Sequence, residues 1–179
     1  MPHDAYAPYT PLDTLKSIAR DLWIVDGPEI WFGYFGLKLP FPTRMTIVRL
    51  PDGALWLHSP TKPTDTLVSN IEAIGPVKFL IAPNTIHYWW IPDWKARFPA
   101  AEIYAAPGLA HVAKRDVPVQ HTLANAPPAV WADVLDQLLV DGAAAGYIVE
   151  SCGRFGHQDD TQRARRKPWQ FDRLQVCSG

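Results

Sequence analysis

The clearest hairpin pattern of apolar runs around a polar turn lies between residues 44 and 58. Two β-rich runs, RMTIVRL and ALWLH, flank the sequence Pro51-Asp52-Gly53. An Asp-Gly turn between two such runs is a strong short-range signal for a β-hairpin. The pattern predicts strands over 44–50 and 54–58.

Residues 64–105 alternate between stretches with a helical pattern of apolar residues and stretches with a strand pattern. Apolar residues at helical spacing predict a helix over 64–74, with Thr64 or Asp65 as its cap. The continuous apolar run 77–82 predicts a buried strand, followed by a shorter helix over 93–98 and a strand over 102–105. Helices that cross between strands imply parallel strands, so the sequence predicts an α/β fold.

The flanking segments are less regular. We predict one strand over 22–25 and another over 30–37, broken by Pro40 and Pro42. The segment 130–140 fits either a helical face or a strand that ends before Asp141-Gly142.

Polar side chains follow two of the predicted strands. The strand 54–58 ends in His58 and Ser59, while Asn84, Thr85 and His87 follow the strand 77–82. In α/β sheets, ligands bind beyond the carboxyl ends of strands. We therefore place the candidate site at this end of the sheet.

Composition excludes several classes of function. The formal net charge is -1, which gives no reason to expect binding to nucleic acid or to a membrane surface. The sequence has no apolar run of membrane-spanning length and no recognisable export signal, and its two cysteines lack metal-type spacing. We expect free thiols, a cytoplasmic location and a small molecule as the partner.

Three stretches together carry a resemblance to a known family: DLWIVDGPEI, LPFPTRMTIVRLPDGALWLHSP and IAPNTIHYWWIPDWKARFPAAEIYAAPGL. They resemble the uncharacterised family called domain of unknown function 4336, and their element order resembles the N-terminal half of the metallo-β-lactamase fold. The resemblance implies one half of an αββα sandwich, over residues 11–142, with a mixed sheet and flanking helices. It implies no established reaction.

The metal motif of that superfamily, HxHxDH, is not preserved. The resemblance aligns Pro83, Thr85, His87 and Tyr88 with its His, His, Asp and His. Proline has no side-chain donor and threonine is a poor zinc ligand, so we expect the dinuclear zinc site to be absent. The expectation for cofactors is no metal, or one zinc or iron ion.

His58 and His87 are the candidate catalytic and metal-binding residues. With Asp93 or Asp26 they could hold one metal ion or act as an acid–base pair. In the alternative, structural interpretation, His58 bonds loop carbonyls and His87 packs under aromatic residues. We assign possible substrate contacts to the residues around them: Ser59, Asn84, Thr85, Tyr88 and Trp89.

Two of these residues also have a local structural interpretation. Asn84 is typical of an Asx-turn. A nucleophilic pair of Ser59 with His58 is disfavoured because adjacent strand residues point to opposite faces. Trp89 and Trp90 are expected mainly to pack.

Hydrophobic periodicity ends after Gly142, and residues 143–179 form a basic, poorly patterned tail. We hypothesise that the second half of the sandwich has been lost, for example by a frameshift. An uncovered sheet face would then favour marginal stability or a homodimer.

The resulting hypothesis is a hydrolase-like protein of the metallo-β-lactamase superfamily with a degenerate metal motif. A non-catalytic module that binds a small ligand is the alternative, and a truncated inactive product is a third.

Overall fold

The computed structural model describes residues 9–34, 37–142 and 146–153. Over these residues, nine strands and three helices follow one another along the chain: β1 (Lys16–Ala19), β2 (Leu22–Tyr34), β3 (Leu37–Arg49), β4 (Leu55–His58), α1 (Asp65–Glu72), β5 (Val77–Ala82), α2 (Ile91–Arg97), β6 (Glu102–Ala105), α3 (Leu109–Val112), β7 (His121–Thr122), β8 (Leu135–Gly142) and β9 (Gly146–Gly153).

Strands β1 to β7 form one mixed sheet in the order of the chain. The pairs from β1 to β4 are antiparallel, and those from β4 to β7 are parallel. The predicted α/β class and its mixed sheet are confirmed. We call the end of the sheet where β4, β5 and β6 finish its carboxyl end, and the opposite end its amino end.

The predicted β3–β4 hairpin is confirmed, and its turn is held by local hydrogen bonds. Leu50 N donates to Ala54 O at 2.8 Å, and Ala54 N donates to Asp52 Oδ1 at 3.0 Å. Gly53 has φ +85°, a backbone conformation that glycine adopts without steric cost.

The prediction that Pro40 and Pro42 end a strand is wrong. Both lie inside β3, which pairs with β2 from Leu37 to Val48 but with β4 only from Thr46 onward. Proline is tolerated where its nitrogen faces an unpaired side of a strand. Residues two apart in a strand direct their nitrogens to the same side, so both prolines fit the side of β3 that no described strand pairs with before Thr46.

The helices lie close to their predicted positions. Thr64 caps α1, since its hydroxyl accepts a hydrogen bond from Leu67 N at 3.3 Å. Helix α2 begins at Ile91, two residues before the predicted start. In the described part of the chain, no helix is long and apolar enough to cross a membrane.

Each face of the sheet carries its own buried cluster. One cluster joins the sheet to the three helices, and Leu57, Leu80 and Trp94 lie in it with no exposed surface. The other contains Trp56 and Phe79, covered by Trp131 of the segment before β8. Edge-on ring contacts connect Trp131 to Phe79 at 5.3 Å and to Trp56 at 6.1 Å.

The ambiguous segment 130–140 contains a strand, β8, rather than a helix. It pairs antiparallel with β9, which lies in the segment assigned from sequence to the tail. Residues 154–179 lie outside the described residues, as do the side chains of both cysteines. The domain boundary at 142 stays a prediction.

Candidate functional site

Asn84 organises the loop that follows β5. Its Oδ1 accepts hydrogen bonds from Ile86 N at 2.9 Å and from His87 N at 2.7 Å. The predicted Asx-turn is therefore confirmed. These two backbone donors also fix the orientation of the carboxamide, because only its oxygen can accept them.

The remaining amide group of Asn84 faces His87. Asn84 Nδ2 lies 2.9 Å from His87 Nδ1. Since an amide nitrogen only donates, His87 Nδ1 accepts here, and the proton of the neutral imidazole is on Nε2. His87 is an exposed residue.

His58 ends β4 and extends from the face that carries Trp56. The two rings stack with centroids 5.3 Å apart at 24°. β4 is the parallel neighbour of β5, and His58 pairs with Ile81. The two histidine-bearing segments therefore reach the same end of the sheet, as predicted, although the catalytic and metal-binding roles of His58 and His87 stay predictions.

The orientation of the Ser59 side chain differs from the prediction. Its Oγ lies 3.2 Å from His58 Nδ1, although adjacent strand residues normally point to opposite faces. The cause is the backbone: Ser59 has φ +52°, which ends the strand conformation and turns the hydroxyl toward the imidazole. The prediction that the side chains of His58 and Ser59 point to opposite faces is wrong.

Two of the three aromatic residues of the loop, Tyr88 and Trp90, pack against the rest of the protein. Tyr88 is buried, and its hydroxyl accepts a hydrogen bond from Lys114 N at 2.8 Å. Trp90 packs against the helix-side cluster. Trp89 is 40% exposed, with the guanidinium of Arg115 over its ring at 5.5 Å. Roles in substrate binding for Thr85, Tyr88 and Trp89 stay predictions.

Both carboxylates proposed to assist the histidines are engaged in ion pairs. Asp93 pairs with Arg115. Asp26 is buried and holds two cations, with Lys16 Nζ at 2.7 Å and Arg44 Nη2 at 2.6 Å. This triad joins β1, β2 and β3 at the carboxyl end of the sheet.

The side chains of the described residues do not fit the zinc site that the fold family implies. Among the described residues, no three or more His, Cys, Asp or Glu side chains lie together in a group that could hold a metal ion. Zinc in proteins is held by three or four such ligands.

A cleft of about 730 Å³ lies at the opposite, amino end of the sheet. Its apolar lining includes Leu50, Phe79, Trp131 and Val134, and its charged lining consists of Asp52, Lys78, Glu102 and Asp133. The local sequence pattern does not reveal this cleft, since its lining comes from four segments far apart in the chain.

Two groups near the cleft have shifted pKa values. Hydrogen bonding from Ala54 N, then from Lys78, lowers the pKa of Asp52. Burial raises the pKa of Tyr104, and the neighbouring Glu102 carboxylate raises it further. Glu102 also lies 2.9 Å from His121 Nε2. Asp52 is thus an ionised acid at neutral pH, and Tyr104 is a neutral phenol.

Comparison with known structures supports the fold. DIM-1 metallo-β-lactamase, in a crystal exposed to ceftazidime, superposes with a TM-score of 0.58 at 16% identity, over 78% of this chain and 68% of that chain. A metallo-β-lactamase from Pontibacter korlensis gives 0.53 and 16%, over 78% and 70%. One from Hirschia baltica gives 0.54 and 14%, over 78% and 69%. At these identities the likeness concerns the fold alone.

Comparison with sequence families gives a second result. Curated proteins yield no match. The family model described as domain of unknown function, DUF4336, matches residues 29–120, just over half of the chain. Because this family model matches more than half of the chain, and the fold is metallo-β-lactamase-like, the chain belongs to the DUF4336 family.

Proposed function

We propose that this protein is a non-catalytic, metal-independent module that binds a small ligand on a metallo-β-lactamase-like fold. The observation that carries the proposal is the hydrogen-bonded loop after β5. The Asn84 side chain accepts hydrogen bonds from two backbone N–H groups of this loop and donates one to His87 Nδ1. Its hydrogen-bonding groups are therefore used within the loop.

The surrounding residues support the same proposal. A metal-activated hydrolase needs several donors that converge on one ion and leave one position open for water. Asp26 and Asp93 instead neutralise basic side chains, and Tyr88 anchors the chain at Lys114. Each of these groups thus stabilises the fold at the end of the sheet where the metal motif of the fold family would lie.

Elemental analysis of the full chain, purified without a histidine tag, tests this proposal. We expect well below one equivalent of zinc or iron per chain, and no stabilisation by added metal in a thermal melt. The matched variant is His58→Ala/His87→Ala. About one metal ion per wild-type chain that is lost in the variant would contradict the proposal and restore a mononuclear hydrolase.

A metal-independent hydrolase is the second candidate, and the contact between Ser59 and His58 favours it. An imidazole nitrogen within hydrogen-bond reach of a serine hydroxyl is the arrangement that activates a nucleophile. The left-handed conformation of Ser59 is also a feature that clusters at functional sites.

A fluorophosphonate probe tests this second candidate. An active Ser59 would form an oxygen–phosphorus bond as the phosphorus–fluorine bond breaks, with the proton passing to His58 and fluoride leaving. Labelling that is lost in Ser59→Ala and strongly reduced in His58→Gln would support the hydrolase. No labelling, or equal labelling of Ser59→Ala, would reject it.

A further inference from the structure

Strands β2 and β3 continue as a two-stranded ribbon beyond the carboxyl end of the sheet. The pairing of β3 with β4 begins at Thr46, opposite His58, whereas β3 already pairs with β2 from Leu37, opposite Tyr34. At about 3.4 Å per residue, the ribbon therefore extends roughly 30 Å past β4. A Cβ atom built on Gly33 meets no atom within 4 Å beyond its chain neighbours, so this part of the ribbon lies in open space.

Large apolar side chains of the ribbon are exposed on both of its faces. Trp31 pairs with Pro40 and the adjacent Ile30 pairs with Phe41, so Trp31 and Phe41 lie on opposite faces. Trp31 is 67% exposed and Phe41 is 41% exposed. A single protein partner packs on one face of such a ribbon, whereas a lipid surface surrounds a projecting ribbon on both.

Few polar groups of the ribbon oppose its transfer out of water. The charged residues of the segment 28–43 are Glu29 and Lys38, and their charges cancel. Pro40 and Pro42 have no N–H to leave unpaired along the side of β3 that no described strand pairs with at these positions. Since an unpaired N–H away from water costs free energy, the two prolines lower the cost of bringing this edge into lipid.

The base of the ribbon carries an excess of positive charge. Asp26 is a single carboxylate between two cations, Lys16 and Arg44, and the side chain of Arg44 is 43% exposed. Asp13, whose N–H donates to Asp26 O, and its neighbour Lys62 add one charge of each sign. Anionic lipid headgroups are therefore complementary to the base of the ribbon.

We propose that the β2–β3 ribbon docks the protein on a lipid bilayer that contains anionic headgroups. Trp31 and Phe41 enter the interfacial layer, and Arg44, about 10 Å behind Phe41 along β3, faces the headgroups. Tryptophan is enriched at membrane interfaces, and apolar area together with basic residues sets the strength of interfacial binding. The net charge of the chain, which gives no reason to expect a membrane partner, does not report on apolar insertion. This docking is independent of the proposed ligand binding.

Partitioning of the full chain onto large unilamellar vesicles tests this docking. The vesicles consist of phosphatidylcholine with phosphatidylglycerol as the minor component, and we expect the bound fraction to fall when phosphatidylglycerol is left out. Trp31→Ser should lower the partition coefficient about fivefold or more, because it removes the most exposed large apolar group of the ribbon. Val130→Ser is the matched control, as Val130 is 56% exposed at the amino end, and it should leave the partition coefficient unchanged.

Tryptophan fluorescence locates the part of the protein that meets the lipid. Bromine atoms near the headgroup end of the acyl chains quench tryptophans that enter the interface. Trp31→Phe keeps an aromatic ring at this position, so we expect vesicle binding within about twofold of the wild type. Most of the lipid-dependent quenching should nevertheless disappear in this variant, because Trp31 is the tryptophan of the ribbon.

No vesicle binding by the wild type, equal partitioning of the wild type and Trp31→Ser, or unchanged quenching in Trp31→Phe would overturn the proposal. Equal binding with and without phosphatidylglycerol would overturn the role given to Arg44. Sedimentation equilibrium without lipid tests a second copy as the partner: a dimer that Trp31→Ser disperses, in a protein that does not bind vesicles, would also overturn the proposal. The urea midpoint of each variant should equal that of the wild type, since the substituted side chains are exposed.

Discussion

The two ends of the central sheet differ in what their polar side chains do. At the carboxyl end, Asn84 is hydrogen-bonded within its own loop and Asp26 is buried between two basic residues. At the amino end, the acidic side chains lie around an open cleft, and the Asp52–Lys78 pair is more than half exposed on both sides. The same strands can therefore carry internally bonded polar groups at one end and exposed charges around a cleft at the other, which is why a fold alone does not locate function.

The largest expected effect comes from the buried ion triad at the carboxyl end. Asp26→Asn leaves Lys16 and Arg44 without their counter-charge, and removing one partner of a buried pair is strongly destabilising. Both cations are partly exposed, so we expect a loss of about 2–3 kcal/mol in the free energy of unfolding, less than the roughly 3–5 kcal/mol for a fully buried pair. Urea denaturation measures it.

The matched change at the amino end is Lys78→Ala. Its partner Asp52 is exposed, and exposed pairs contribute little to stability. We expect an unchanged urea midpoint. A similar loss in the free energy of unfolding for Asp26→Asn and Lys78→Ala would contradict the difference between the two ends of the sheet.

A smaller effect is expected for Asn84→Ala. The substitution leaves Ile86 N and His87 N without their acceptor, and we expect a loss of about 1–2 kcal/mol, since partly exposed donors regain water. Asn84→Asp is the control because it keeps the accepting oxygen. A loss in Asn84→Asp as large as in Asn84→Ala would contradict the role assigned to Oδ1.

The smallest expected effect concerns Asp13 and depends on pH. Burial raises the pKa of its carboxyl above the ordinary value of 3.8, although Lys62 opposes the shift. The folded protein then binds the proton more tightly than the unfolded chain does, so Asp13 lowers stability as pH rises from about 3.8 through its folded pKa.

Asp13→Asn removes this penalty. Asn also tolerates the φ of +53° at this position. Thermal melts should show the variant more stable at pH 7, with the advantage disappearing below pH 3.8. An advantage that is the same at all pH values would rule out this titration as its cause.

Local chemistry explains what could be predicted from the sequence. The β3–β4 turn and the Asn84 turn are each specified by residues that bond within a few positions of themselves. Helix α1 is likewise specified by nearby residues, through its Thr64 cap and its apolar face. Such elements need no knowledge of distant partners.

The missed features depend on distant partners or on a single dihedral angle. Pro40 and Pro42 fit a strand because β4 pairs with β3 only from Thr46 onward, which the local pattern cannot reveal. The left-handed turn at Ser59 reverses the face of one side chain and carries no sequence signature of its own. The cleft requires four segments to meet.

The two prolines of β3 have a consequence for self-association. A long β-strand with one unpaired side offers donors and acceptors to a strand of another molecule, the first step of edge-to-edge aggregation. Proline has no N–H, so each one removes a donor from that row. Along the side of β3 that no described strand pairs with before Thr46, the two residues that were predicted to break a strand therefore reduce the number of donors available for intermolecular sheet growth.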